Sequence, residues 1–149
     1  ECNDVTTPFA TLVQGRGEMV SPILPRLDLF FVLICPDVHS STKEAYSLVD
    51  QWYSPDWKWD SIPAKGLETA YKAPVYTWGF VNSFTAPLVQ RYPLIRQGLQ
   101  DLHATGASYI QMSGSGSAVF GVYSSKEAAD CAFLKLREKW KRCYTFASS

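Results

Sequence analysis

An α+β fold is what this sequence predicts, and three observations carry the prediction. Apolar runs of strand length recur at 28–35, 108–112 and 118–123. Stretches with helical spacing lie between and after them, opened by a capping signal or interrupted by a proline. The second and third runs are joined by Ser113-Gly114-Ser115-Gly116-Ser117, a connection suited to a hairpin.

In chain order, residues 8–20 place apolar residues on both sides of Gly15-Arg16-Gly17, the pattern of a hairpin or sharp turn. Residues 28–35 (DLFFVLIC) form a continuous apolar run ended by Pro36, as in a central strand covered on both faces. Ser41-Thr42-Lys43-Glu44 reads as a capping box, in which the Ser41 hydroxyl takes the amide of Glu44. Ala45, Leu48, Val49 and Trp52 then share one helical face.

Residues 53–80 are less regular, with Pro55, Pro63 and Pro74 among Tyr53, Trp57, Trp59, Tyr71, Tyr76 and Trp78. Aromatics interleaved with Lys58, Lys65 and Lys72 suit a stacking platform for bases or sugars. They equally suit an insertion whose rings anchor a long loop onto the core, and that is the expectation, with one or two short helices inside it. From Asn82 onward, Leu88, Tyr92, Ile95, Leu99 and Leu102 keep helical spacing. Pro93 either kinks this helix or starts a second one, and Gly106 is placed to end it. After the two strands, Ser124-Ser125-Lys126-Glu127 is a second capping box. It opens a helix with Ala129, Ala132, Phe133, Leu136 and Trp140 on its apolar face, and a strand at 143–146 closes the chain. The order strand, helix, insertion, helix, strand, strand, helix, strand gives split βαβ units, ferredoxin-like in outline.

Composition narrows the function classes. The 149 residues are 46% hydrophobic and 19% charged, a globular balance. Fourteen Lys and Arg offset fourteen Asp and Glu, which argues against a protein that tracks nucleic-acid phosphates. No apolar run approaches the roughly 18 residues of a membrane span, so neither nucleic acid nor membrane is an expected partner. Cys2, Cys35, Cys131 and Cys143 form no C-x-x-C pair, and His39 and His103 are too few to complete a zinc site; no metal site is expected. Cys35 and Cys131 read as buried thiols of a reduced, cytoplasmic protein. The start, Glu1-Cys2-Asn3-Asp4, has no Met and no signal-peptide pattern, so the chain reads as a piece of something longer.

The small-residue loop is the most informative segment. Two glycines let backbone amides turn inward as an anion nest, and serine hydroxyls add donors without bulk. A plain hairpin connection of small residues is the competing reading. The loop lacks the lysine and spacing of a P-loop and is no dinucleotide fingerprint.

Met112 to Phe120 resembles the Gly-rich third motif of the GHMP kinases, in their C-terminal domain. The order of elements is similar as well, which implies that domain over 28–149 and a domain-joining segment with a hairpin over 1–27. Three further stretches resemble the branch of these kinases that acts on a cytidine-diphosphate sugar alcohol. They are Gly15-Arg16-Gly17-Glu18 followed by Pro22, Phe31 to Pro36 followed by Ser41-Thr42-Lys43-Glu44-Ala45-Tyr46, and Asn82 at the head of the long helix. Asn82-Ser83-Phe84 lacks the acidic residues usual at that helix start.

The resemblance implies transfer of the ATP γ-phosphate to the cytidine-diphosphate sugar alcohol, with Mg²⁺, in non-mevalonate isoprenoid precursor synthesis. It implies that Tyr46 stacks on the cytosine, that Thr42 meets the substrate, and that Gly114, Ser115 and Gly116 lie near the phosphates. Asp4, in a partial match, is carried over as the candidate catalytic aspartate. The ATP-cradling motif of an N-terminal domain would precede Glu1, so residues 1–149 alone are expected to phosphorylate nothing. A side chain at Gly116 is expected to crowd whatever approaches the loop while lowering stability only modestly. The alternatives are another GHMP kinase of homoserine or mevalonate type, and a non-catalytic ferredoxin-like binding module.

Overall fold

A computed structural model describes residues 10–53, 56 and 64–148, with only the backbone described at 64 and 65. Asp4, Cys2, Trp57, Lys58 and Trp59 lie outside these residues. Strands β1 (Ala10–Gln14) and β2 (Met19–Ile23) pair antiparallel, with Ala10 opposite Ile23 and Gln14 opposite Met19. Their turn needs glycine: Gly15 and Gly17 have φ of +67° and +107°.

The apolar runs build one sheet from β3 (Phe30–Ile34), β4 (Tyr109–Met112), β5 (Val119–Tyr123) and β6 (Cys143–Ala147). Its order is β4-β5-β3-β6, and every neighbouring pair is antiparallel. The crossover from β3 to β4 skips the place taken by β5, and that from β5 to β6 skips the place taken by β3. Two split βαβ units therefore interleave, as the order of elements predicts.

Period-two alternation decides which side of the sheet is the core. Val32 and Ile34 of β3 are fully buried, with Val119 of β5 and Met112 of β4. Leu88, Ile95 and Leu102 close over them from α3 (Thr85–Arg91) and α4 (Pro93–Ala104). Each such side chain contributes about 1.5–3 kcal/mol relative to exposure. Pro93 starts the second helix at its first position, where the missing N–H costs nothing, so the long helical pattern divides there. Gly106, at φ +84°, stands just past its end, as expected.

Helix α5 (Lys126–Leu136) buries Ala129, Ala132 and Leu136 against the same face. Three expectations about it need correction. Its cap is Ser125, whose hydroxyl accepts from the Ala128 amide at 3.2 Å, so the box is shifted by one residue. Trp140 is buried but lies beyond the helix, held by donation from its Nε1 to Asp101 Oδ2 at 2.8 Å. Cys131 is exposed, because it sits one position off the apolar stripe. Cys35 and Cys143 are half-buried, and burial pushes the Cys143 thiol up to about 11, which keeps it protonated and unreactive at neutral pH.

The opposite face of the sheet carries Phe31, Phe120, Tyr109 and Phe146. Over it runs the irregular segment, containing α2 (Ala64–Lys72) and a 3₁₀ turn (Val75–Thr77). Trp78 meets Tyr109 edge-on at 5.3 Å and stacks on Tyr71 at 6.1 Å. Arg26 donates to the carbonyls of Tyr71 and Ala73 at 3.0 and 2.8 Å, tying down the end of α2. Its two bonds to the Asp28 carboxylate hold that group below the usual carboxylate range. Tyr71, Trp78 and Phe80 thus anchor this segment onto the sheet, whereas Tyr76 is exposed. Among the described residues, no helix is long and apolar enough to cross a membrane.

Candidate active site

Antiparallel pairing brings the site together. Ile34 at the end of β3 lies opposite Val119 at the start of β5, so the loop leading into β5 sits beside the chain leaving β3. That chain turns at the buried Pro36 and enters helix α1 (Thr42–Trp52). Ser41 caps the helix, accepting from the Glu44 amide at 3.1 Å. Thr42 is the first helical residue, and its Oγ1 stands 3.2 Å from Ser115 Oγ, although 73 residues separate them. Ser117 Oγ donates to the Pro36 carbonyl at 3.3 Å. Two hydroxyl contacts thus stitch the loop to the segment that starts α1.

Within the loop, the Ser113 amide donates to the Ala118 carbonyl and the Gly116 amide to the Ser113 carbonyl, each at 2.9 Å. These bonds close the hairpin. Among the described residues, the amides of Gly114 and Ser115 make no backbone hydrogen bond. The two glycines differ. Gly114 has φ +52°, and among the described residues nothing lies within 4 Å of where its Cβ would be. Gly116 has φ +80°, and its Cβ would stand 3.0 Å from Met112 Sδ and 3.2 Å from Leu88 Cδ2. The expectation that a Gly116 side chain would meet an approaching ligand is therefore corrected: it would enter the core.

Tyr46 follows Thr42 by one helical turn and lies on the same side of α1. It is 58% exposed, as expected for a ligand-facing ring, and packs nearly perpendicular to Phe84 at 4.9 Å. Asn82, just before α3, donates from Nδ2 to the carbonyls of Met112 and Gly114, each at 2.8 Å. Asn82 and Phe84 are the site residues that sequence reasoning passed over. Asn82 was visible as the head of a helix, but nothing local signals that its amide turns to a loop thirty residues on. Trp52, expected on the core side of α1, is instead exposed beside Pro87 and Arg91.

The donors gathered here are hydroxyls, turn amides and the first-turn amides of α1, whose dipole favours negative charge. Such a set can bind and orient an anion or a hydroxylated ligand. Among the described residues no three His, Cys, Asp or Glu side chains are grouped to hold a metal ion. A cavity of about 480 Å³ lies elsewhere, on the aromatic face, lined by Phe31, Trp78, Phe80, Tyr109 and Phe120. It shares no residue with this site. Its lining is the anchor packing described above, so the loop and α1, which carry the polar donors, are the better candidate.

Residues 78–142 match the family described as GHMP kinases C terminal. Among curated proteins, the 4-diphosphocytidyl-2-C-methyl-D-erythritol kinase of Treponema pallidum (strain Nichols) is 34% identical over 140 residues, covering 90% of this chain and 48% of that protein. The enzyme of the same name from Bacteroides fragilis (strain YCH46) is 34% identical over 120 residues, covering 78% of this chain and 40% of its own length. A crystal structure of 4-(cytidine 5'-diphospho)-2C-methyl-D-erythritol kinase superposes with a TM-score of 0.69 at 25% identity, over 92% of this chain and 48% of that one. Homoserine kinase from Cytophaga hutchinsonii superposes with a TM-score of 0.56 at 19% identity, over 93% of this chain and 47% of that one, a likeness of fold alone. The chain spans about half the length of the curated relatives it matches.

Proposed function

Because this chain carries a C-terminal domain of the GHMP kinases, we propose that it serves a kinase transferring the γ-phosphate of ATP to 4-diphosphocytidyl-2-C-methyl-D-erythritol. The step belongs to non-mevalonate isoprenoid precursor synthesis, in the cytoplasm. The observation that carries the reading is the meeting of Thr42 with Ser115. It joins the start of α1 to the small-residue loop, the two motifs that the resemblance assigns to substrate and phosphates.

In this reading Tyr46 stacks on the cytosine, Thr42 and the first-turn amides of α1 hold the phosphate or hydroxyl portion beside it, and Gly114 and Ser115 offer amides to the phosphates. Gly116 gives the loop its turn. Asp4 is the proposed catalytic aspartate, accepting the proton of the attacking hydroxyl. ATP supplies the phosphoryl group, and a partner half of the protein, N-terminal to this one, binds it. Mg²⁺ would come with the nucleotide phosphates. What these residues contribute is positioning and charge stabilisation, on which phosphoryl transfer mainly depends. They bind and orient the substrate between the helix start and the loop.

The test is substrate choice by the full-length kinase. With ATP present, kcat/KM for the cytidine substrate should exceed that for homoserine or mevalonate by about a hundredfold or more, the discrimination expected when a built base contact is left unused. Equal or better turnover of homoserine would assign the domain to the other branch of the family. No phosphorylation of any of the three would return it to a binding module.

A further inference from the structure

Asn82 reaches both halves of the site. Its Nδ2 donates to the Met112 and Gly114 carbonyls at 2.8 Å each, and its Oδ1 accepts from the Phe84 amide at 3.0 Å. The orientation of the side chain is dictated by its partners, since a reversed amide would set its oxygen against two carbonyl oxygens. A local Asx turn ahead of α3 explains the bond to Phe84 but not the two donations into the loop. Those fix the carbonyl of Gly114, a residue whose backbone is freer than any other type's. The bond to Phe84 acts on the other half, because the Phe84 ring is the perpendicular neighbour of Tyr46 at 4.9 Å.

We infer that Asn82 is a positioning residue: one side chain holds the Gly114–Ser115 turn and, through the Phe84 backbone, the aromatic support of Tyr46, so that base-side and phosphate-side contacts keep a fixed spacing. The inference rests on the kinase reading for its functional consequence, and on hydrogen bonds alone for its structural one.

Asn82→Asp separates the two tasks. It keeps an acceptor for the Phe84 amide and sets a carboxylate oxygen against the two loop carbonyls. Amide hydrogen exchange of residues 114–117, measured without substrate, should then speed up by about tenfold or more, with α4 and β5 unchanged. In the full-length kinase kcat should fall by about tenfold or more, while KM for the cytidine substrate stays within about threefold. Asn82→Ala, which frees Phe84 as well, should raise KM in addition. Unaltered exchange in the loop, or exchange accelerated equally through β5 and α4, would overturn the inference, as would wild-type kcat in Asn82→Asp. Because the exchange arm uses no substrate, an enzyme inert toward the cytidine compound would sink the kinase reading and leave the loop result to be judged by itself.

Discussion

Gly116→Val should unfold this domain far below the wild-type melting temperature. The position has φ +80°, where an L side chain costs about 1–2 kcal/mol. A Cβ there would also press on Met112 and Leu88, both buried to within 1%. Overpacking of such a site typically costs about 1–3 kcal/mol. The sum is about 2–5 kcal/mol, a fall in Tm of roughly 5–20 °C for a chain of this size. Gly114→Ala is the informative partner. Among the described residues nothing lies within 4 Å of where its Cβ would be, so stability should fall by only about 1 kcal/mol, the cost of the positive φ. In the full-length kinase its kcat/KM should nonetheless drop more than about tenfold, a barrier change of about 1.4 kcal/mol. Calorimetric melting of both variants checks the first half, and a Gly116→Val protein melting within about 2 °C of wild type would show that its side chain does not enter the core.

That contrast marks where the sequence stopped being readable. The two glycines look alike in Ser113-Gly114-Ser115-Gly116-Ser117, and both need positive φ. Which one faces the core is decided by Leu88 and Ile95, which arrive from α3 and α4, well before the loop in the chain. The sheet was legible because its signals are local: apolar runs of strand length, Pro93 at a helix start, Gly106 past a helix end. Phase along a helix was less so. Cys131 and Trp52 each sit at the margin of an apolar stripe, and a shift of one residue turns them outward. Trp140 follows the spacing of α5 but is buried by its hydrogen bond to Asp101 after the helix has ended. Thr42 and Ser115 were singled out separately, one for its place at a helix start and one for its loop. Their contact depends on the register of β3 with β5, which no short motif encodes.

Tyr46→Ala should weaken binding of the cytidine substrate by about 1–3 kcal/mol, the usual loss when a ring that stacks on a base is removed. Affinity for ATP should hardly change, since the ring stands one turn along α1 from the loop. The effect on folding should be small: Tyr46 is 58% exposed, and the Phe84 ring it touches is packed against the core from its own segment. Calorimetric titration of the full-length kinase measures both affinities. An unaltered affinity for the cytidine substrate would make Tyr46 a surface ring that braces Phe84 and nothing more.

The claim on which the rest depends is that the start of α1 and the Gly-Ser loop are one binding surface. Titrating the isotope-labelled chain with 4-diphosphocytidyl-2-C-methyl-D-erythritol, while following each backbone amide by NMR, tests it most directly. The amides of Thr42, Tyr46, Gly114 and Ser115 should shift together along one saturation curve and stay in place when homoserine is added. Shifts confined to one of the two elements, shifts elsewhere on the sheet, or an equal response to homoserine would contradict the account.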